Sequence, residues 1–144
     1  MNQTEITSLS DRKIVLRYLA GWIGMVFIAI FNGILRGVAF EPYFTELTAH
    51  HISCVTGVSF FLIATWFYNK KWPIGSSKQA LLIGLIWLIL TPIFEFGFGL
   101  YVMGHPLDYL LNDYNLLAGR AWSLVLVAVF LLPTIVYRVR RQHE

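Results

Sequence analysis

The chain has 144 residues, of which 57% are hydrophobic, 16% are aromatic and only 13% are charged. Soluble domains carry about 25% charged residues, so this composition excludes an ordinary soluble domain. It also excludes a disordered chain, which needs low hydrophobicity. The length allows one domain over residues 1–144. The formal net charge of +3 is explained by where the basic residues lie, and no nucleic acid partner is predicted.

Four apolar stretches follow one another along the chain, at about 14–36, 50–69, 79–103 and 116–138. Each approaches or exceeds the roughly 20 residues with which a helix crosses the hydrocarbon core of a bilayer. Because only helices and closed barrels satisfy their backbone in lipid, and no strand alternation is present, the sequence predicts an all-α integral membrane protein. We expect one transmembrane domain, a four-helix bundle with antiparallel up-down topology. The first stretch is too long for a signal-peptide core and should be retained.

The basic residues indicate an orientation across the bilayer. Nine of the eleven lie on one side of the predicted bundle: Arg12, Lys13, Arg17, Lys70, Lys71, Lys78, Arg138, Arg140 and Arg141. Lys and Arg mark the cytoplasmic side, so both termini are predicted to be cytoplasmic. The loops on the other side carry acidic residues: Glu41, Glu46, Asp108 and Asp113. We expect a multi-pass protein of a bacterial inner membrane.

Glu95 is the one charged residue of the third stretch. It lies about 25 Å from the cytoplasmic surface at 1.5 Å per residue, which is in the outer half of the bilayer. A carboxylate there is costly to ionise alone, so it should be neutral or paired, and Arg36 and Arg120 are the predicted partners. Pro92 frees a backbone carbonyl just before Glu95 and predicts a kink that could open a cavity. The alternative is an internal ion pair between Glu95 and an arginine that only holds the helices together.

An outward-facing polar pocket is the site that the sequence predicts. Asn32 lies one helical turn before Arg36 on the same face, and Arg120 opens the fourth stretch at a similar depth. The planar fork of arginine suits carboxylates and phosphates, so two arginines with Glu95 would leave a net positive charge for an anion. The alternative for either arginine is a side chain that extends to the headgroups. The predicted ligand-binding residues are Asn32, Arg36, His50, Glu95 and Arg120.

His50 and Cys54 are four residues apart and can face the same way. A metal site needs three or four such ligands, and the spacing matches no known motif, so no metal and no cofactor is predicted. Cys54 is the single cysteine, which forbids an internal disulfide. Gly33 and Gly37 form a G-x-x-x-G pair, which favours close packing within the bundle or, alternatively, a homodimer.

Three stretches resemble a known family: residues 32–36 (NGILR), 94–99 (FEFGFG) and 113–122 (DYNLLAGRAW). They are similar to a family of small bacterial integral membrane proteins with four predicted spans and no established activity. The resemblance covers most of the chain between residues 32 and 133. It implies the four-span fold and adds no chemistry.

The predicted function is binding or transport of a small anionic solute or a lipid headgroup, and the lipid bilayer surrounds the protein. Glu95 would act as a protonatable switch or counter-ion, and the arginines would hold the anion. One alternative is a membrane-embedded enzyme acting on a lipid or quinone-like substrate, with Glu95 or His50 as acid–base. No nucleophile motif is present, and the sequence leaves the question of an enzyme open. A structural or accessory subunit of a membrane complex is the third interpretation.

Overall fold

A computed structural model describes residues 2–143, and the side chains of residues 2–4 and 11–143. The described chain is helical throughout and contains no strand, which confirms the all-α prediction. The helices are α1 (Gln3–Leu35), α2 (Glu46–Lys71), α3 (Ser77–Tyr101), α4 (Leu107–Asn112) and α5 (Trp122–Gln142). A π-helical turn at Arg36–Phe40 continues α1, and a 3-10 turn at Leu116–Ala118 precedes α5.

Side-chain caps and one glycine fix the helix boundaries. Thr45 starts α2 earlier than predicted, because its hydroxyl accepts a hydrogen bond from the Thr48 amide at 3.2 Å. Ser76 caps α3, because its hydroxyl accepts a hydrogen bond from the Gln79 amide at 3.1 Å. The fourth long helix begins later than the predicted 116. Gly119 has a φ of +82°, a left-handed conformation that ends the 3-10 turn and delays α5.

One end of the four packed helices carries most of the basic residues, and we call it the basic end. Tyr18 is fully buried there, and its hydroxyl lies 2.9 Å from the Trp72 carbonyl and 3.2 Å from Asn69 Oδ1. The indole of Trp87 donates to the Tyr18 carbonyl at 3.0 Å. These bonds join the first half of α1 to the end of α2 and to α3. Arg17 and Lys71 stack on the Trp72 ring at the same end.

A close backbone approach joins α3 to α5. Gly84 is buried at this contact, and a Cβ placed on it would lie 2.1 Å from the carbonyl oxygen of Phe130. Only glycine permits this approach. The opposite end of the helices contains Asn32, Glu95 and Trp122, and we call it the cavity end.

Four helices of the described chain are long and apolar enough to cross a membrane. Three of them are α2, α3 and α5, and the fourth is the segment 11–40, which consists of α1 from Asp11 onward and the π-helical turn. The core between them is small and is built around Tyr18, Ile83 and Trp87. Many large apolar side chains point outward instead, among them Phe27, which is 68% exposed, and Ile93, which is 65% exposed. Apolar side chains therefore lie both in the core and on the outer surface of the helices.

Candidate functional site

His50 lies in the first turns of α2 and is 1% exposed. Its Nε2 lies 3.1 Å from the backbone nitrogen of Ala121 and 3.6 Å from the Cys54 sulfur. A backbone N–H can only donate, so Nε2 accepts, and a neutral His50 carries its proton on Nδ1. That Nδ1 is buried and has no hydrogen-bond partner within residues 2–143. His50 therefore holds the start of α5 and keeps one unused donor.

His51 fixes the same turn from its other side. Its Nε2 lies 2.6 Å from the Gly119 carbonyl oxygen and donates to it. Together, the two histidines bind residues 119–121 to α2. Sequence analysis selected His50 alone, because the contact with Gly119 spans 68 positions and has no local signal.

Asn32 ties α1 to α2. Its Nδ2 donates to the Ser53 carbonyl at 2.8 Å, and its Oδ1 accepts from the Thr56 hydroxyl at 2.6 Å. Gly57 makes room for it, since a Cβ there would lie 2.9 Å from the Asn32 amide nitrogen. The side chain is buried and both polar atoms are used, so Asn32 shapes the site more than it offers groups to a ligand.

Glu95 has different partners from those the sequence predicted. Its Oε2 accepts from the Tyr114 hydroxyl at 2.5 Å and from the Trp122 indole at 2.7 Å. No arginine contacts it. Its second oxygen, Oε1, has no hydrogen-bond partner in the described part of the chain. Glu95 thus keeps one oxygen free, whether it is ionised or protonated.

Tyr114 comes from the segment between α4 and α5, and its ring stacks on Phe96 at a centroid distance of 5.6 Å. Burial, the negative charge of Glu95 and the hydrogen bond donated to that carboxylate raise the pKa of Tyr114 above its ordinary value. The phenol therefore remains a donor.

The two predicted arginines differ in what they bind. Arg120 is 7% exposed, and its terminal nitrogens bind Glu46 at 2.8 Å and Asp113 at 2.6 Å. Burial alone would lower the pKa of Arg120, but the hydrogen bonds to these two carboxylates outweigh it and raise the pKa. It lies in the turn before α5, where the sequence predicted helix.

Arg36 keeps N–H donors that could bind a ligand. Its side chain is 33% exposed, and its Nε lies 3.5 Å from Glu41 Oε1 without hydrogen-bond geometry. No hydrogen-bond partner among residues 2–143 reaches either terminal nitrogen. The terminal N–H groups of its planar guanidinium, which suit a carboxylate or a phosphate, are therefore available.

Two adjoining cavities occupy the cavity end. The larger, which we call the amphipathic cavity, has a volume of about 520 Å³ and lies between α1 and α3, with α2, α4 and the start of α5 behind it. Its apolar walls come from Ala29, Ile30, Gly33, Ile34, Phe94, Phe98 and Met103, and its polar residues include Asn32, Arg36, His50 and Glu95. The polar cavity beside it has about 430 Å³ and is lined by Arg36, Glu41, Glu46, Tyr109, Asn112, Asp113 and Arg120.

Four of the five predicted site residues line the amphipathic cavity, and Arg120 lines the polar one. Arg36 lines both. The expectation of a net positive site is not met, because two arginines face three carboxylates in the polar cavity, a formal charge of −1. Sequence analysis did not assign Glu46 and Asp113 to the site. Glu46 begins α2 and Asp113 follows α4, and acidic residues near the ends of the predicted spans are a signal that could have suggested pairing with an arginine.

No protein-family model, curated protein or solved structure matches the chain. Among the described side chains, those of residues 2–4 and 11–143, no group of three or more His, Cys, Asp or Glu could hold a metal ion.

Proposed function

We propose that the chain is an integral membrane protein of a bacterial inner membrane, whose four long helices cross the bilayer in up-down order. Three contacts support the order: Tyr18 with Asn69, Asn32 with Ser53, and Gly84 of α3 with α5. The outward apolar side chains suit a lipid surrounding. The basic end would be cytoplasmic, which places the cavity end on the outer side. The membership of the four-span family is part of this proposal.

The function that the geometry supports best is binding of an amphipathic molecule with an acidic group, such as a lipid headgroup, at the cavity end. The observation that carries it is the guanidinium of Arg36, which lines both cavities and whose terminal nitrogens form no hydrogen bond within the described residues, although its Nε lies 3.5 Å from Glu41, whereas Arg120 is hydrogen-bonded to two carboxylates. The acidic group of the ligand would bind Arg36, because a planar guanidinium forms paired hydrogen bonds with carboxylates and phosphates.

The apolar walls suit the tail of such a ligand. Trp22 of α1 contacts α3 through a hydrogen bond to Thr91 at 3.1 Å and through the Phe94 ring. Beyond this contact the amphipathic cavity separates the two helices, and its rim residues Ile34 and Met103 are more than half exposed. In a bilayer this gap would face the acyl chains, so a lipid could enter from the side. Glu95 at the inner end would accept or donate one hydrogen bond through Oε1.

The test is native mass spectrometry of the purified chain with Arg36→Gln, and Arg138→Gln as the matched control. Arg138 is exposed and belongs to the basic end. The Arg36 variant should bind acidic lipid about tenfold more weakly, the worth of a lost charge-assisted hydrogen bond. Thermal unfolding of both variants controls for the fold. Equal lipid affinity in the two variants would overturn the proposal.

A further inference from the structure

The polar cavity carries more negative than positive charge, although it contains the arginine that would hold the acidic group. Arg36 and Arg120 face Glu41, Glu46 and Asp113. A ligand that brought only negative charge would increase the repulsion with these carboxylates. A ligand that also carried a positive group would have no net charge, and that group could lie beside the carboxylates while the acidic group binds Arg36.

We propose that the two cavities bind a zwitterionic headgroup in which a phosphate and a primary ammonium are joined, as in an ethanolamine phospholipid. The inference rests on the proposed function and names its ligand class. The phosphate binds Arg36, the ammonium lies among the carboxylates of the polar cavity, and the tail lies in the amphipathic cavity.

The carboxylates have unused acceptors for an ammonium. Glu46 and Asp113 each bind Arg120 through one oxygen, and no hydrogen bond reaches the other oxygen within the described residues. The Glu46 side chain is 72% exposed and that of Glu41 is 47% exposed. A primary ammonium has three N–H donors to satisfy such acceptors, whereas a trimethylammonium has none.

The phosphate has a second donor besides Arg36. His50 lines the amphipathic cavity, is buried, and carries an Nδ1 without a partner among residues 2–143. Because Nε2 accepts from the Ala121 amide, Nδ1 is the protonated nitrogen and can donate to an anionic oxygen. A buried donor without an acceptor is costly, and a bound phosphate would remove that cost.

The geometry of the cavities suits one molecule with a polar and an apolar part. Arg36, Tyr109 and Asp113 line both cavities, so they form a common wall. The polar cavity of about 430 Å³ is large enough for a headgroup. The phosphate at Arg36 would then stand at the boundary, with ammonium and tail on opposite sides of it.

The experiment compares three phospholipids with identical acyl chains, carrying ethanolamine, choline or glycerol headgroups. They are titrated onto the detergent-purified chain and followed by native mass spectrometry. We expect the ethanolamine lipid to bind about tenfold more tightly than the choline lipid, because the latter lacks N–H donors. It should also bind more tightly than the glycerol lipid, which has no positive charge. O-Phosphoethanolamine is added as a competitor: displacement assigns this chemistry to a soluble ligand, and its failure assigns it to a lipid.

Variants separate this inference from the proposed function. Glu41→Gln should reduce the preference for ethanolamine over glycerol, and Asp108→Asn, an exposed acidic residue outside both cavities, should not. Glycerol lipid binding as tightly as ethanolamine lipid, or an unchanged preference in Glu41→Gln, would overturn the inference while Arg36→Gln still weakens binding of all three lipids. If Arg36→Gln weakens none of them, the proposed function fails and the inference fails with it.

Discussion

Replacing Glu95 by alanine should destabilise the fold, whereas replacing it by glutamine should leave it nearly as stable. Oε2 accepts two hydrogen bonds, at 2.5 Å from Tyr114 and at 2.7 Å from Trp122. Alanine would leave both donors without an acceptor in a half-buried site, at about 1–2 kcal/mol each, so the free energy of unfolding should fall by about 2–4 kcal/mol. The glutamine oxygen can accept both bonds, and its amide would occupy the position of the unpartnered Oε1, so we expect a change below about 1 kcal/mol.

The measurement is equilibrium unfolding in mixed micelles, followed by tryptophan fluorescence. A double-mutant cycle with Tyr114→Phe provides the control: removing the hydroxyl should destabilise the parent chain but not the Glu95→Ala variant. Equal stability of the alanine and glutamine variants would refute the reasoning, since the two differ in their ability to accept these hydrogen bonds.

Three other outcomes can be measured in the same way. Gly84→Ala should lower the free energy of unfolding by about 1–3 kcal/mol, because its Cβ would lie 2.1 Å from the Phe130 carbonyl oxygen. Gly24→Ala, with no atom within 4 Å of its Cβ, should be neutral or stabilising, and the reverse order would contradict the packing. Tyr114 has a raised pKa, so its stabilisation is complete below about pH 10 and is lost as the pH rises through the folded value; Tyr114→Phe should flatten this loss. Asn32→Leu should cost about 1–3 kcal/mol, because it removes the buried hydrogen bonds of Asn32 with the Ser53 carbonyl and the Thr56 hydroxyl, and unchanged unfolding would contradict this.

The helices could be predicted from the sequence, because each apolar run is longer than a helix in the core of a soluble protein would need. Runs near the thickness of a bilayer specify helices whatever their tertiary contacts. The start of α5 could not be predicted from hydropathy, because residues 116–121 are as apolar as a helix. Their path is set by the left-handed Gly119 and by the two histidines of α2.

The residues that line the amphipathic cavity could be predicted in part, whereas the hydrogen bonds and ion pairs around it could not. Helical spacing and depth selected Asn32, Arg36, His50 and Glu95, which the structure brings around one cavity. The pairing of Arg120 with Glu46 could not be predicted, because Glu46 lies 74 positions away, in the first turn of α2. Charge alone favoured an arginine beside Glu95, but the loop geometry places a phenol and an indole there instead.

The buried Tyr18 has a consequence for the order in which the chain assembles. Its bonds to Asn69, Trp72 and Trp87, like the bond from Trp22 to Thr91, use only residues made before position 92. These contacts of Tyr18 and Trp22 can therefore form while the ribosome is still adding the rest of the chain. The contacts of Glu95 and Arg120 need residues 113–122, so the cavities are completed last. Binding of a ligand at the cavities would then report that residues 113–122 have docked.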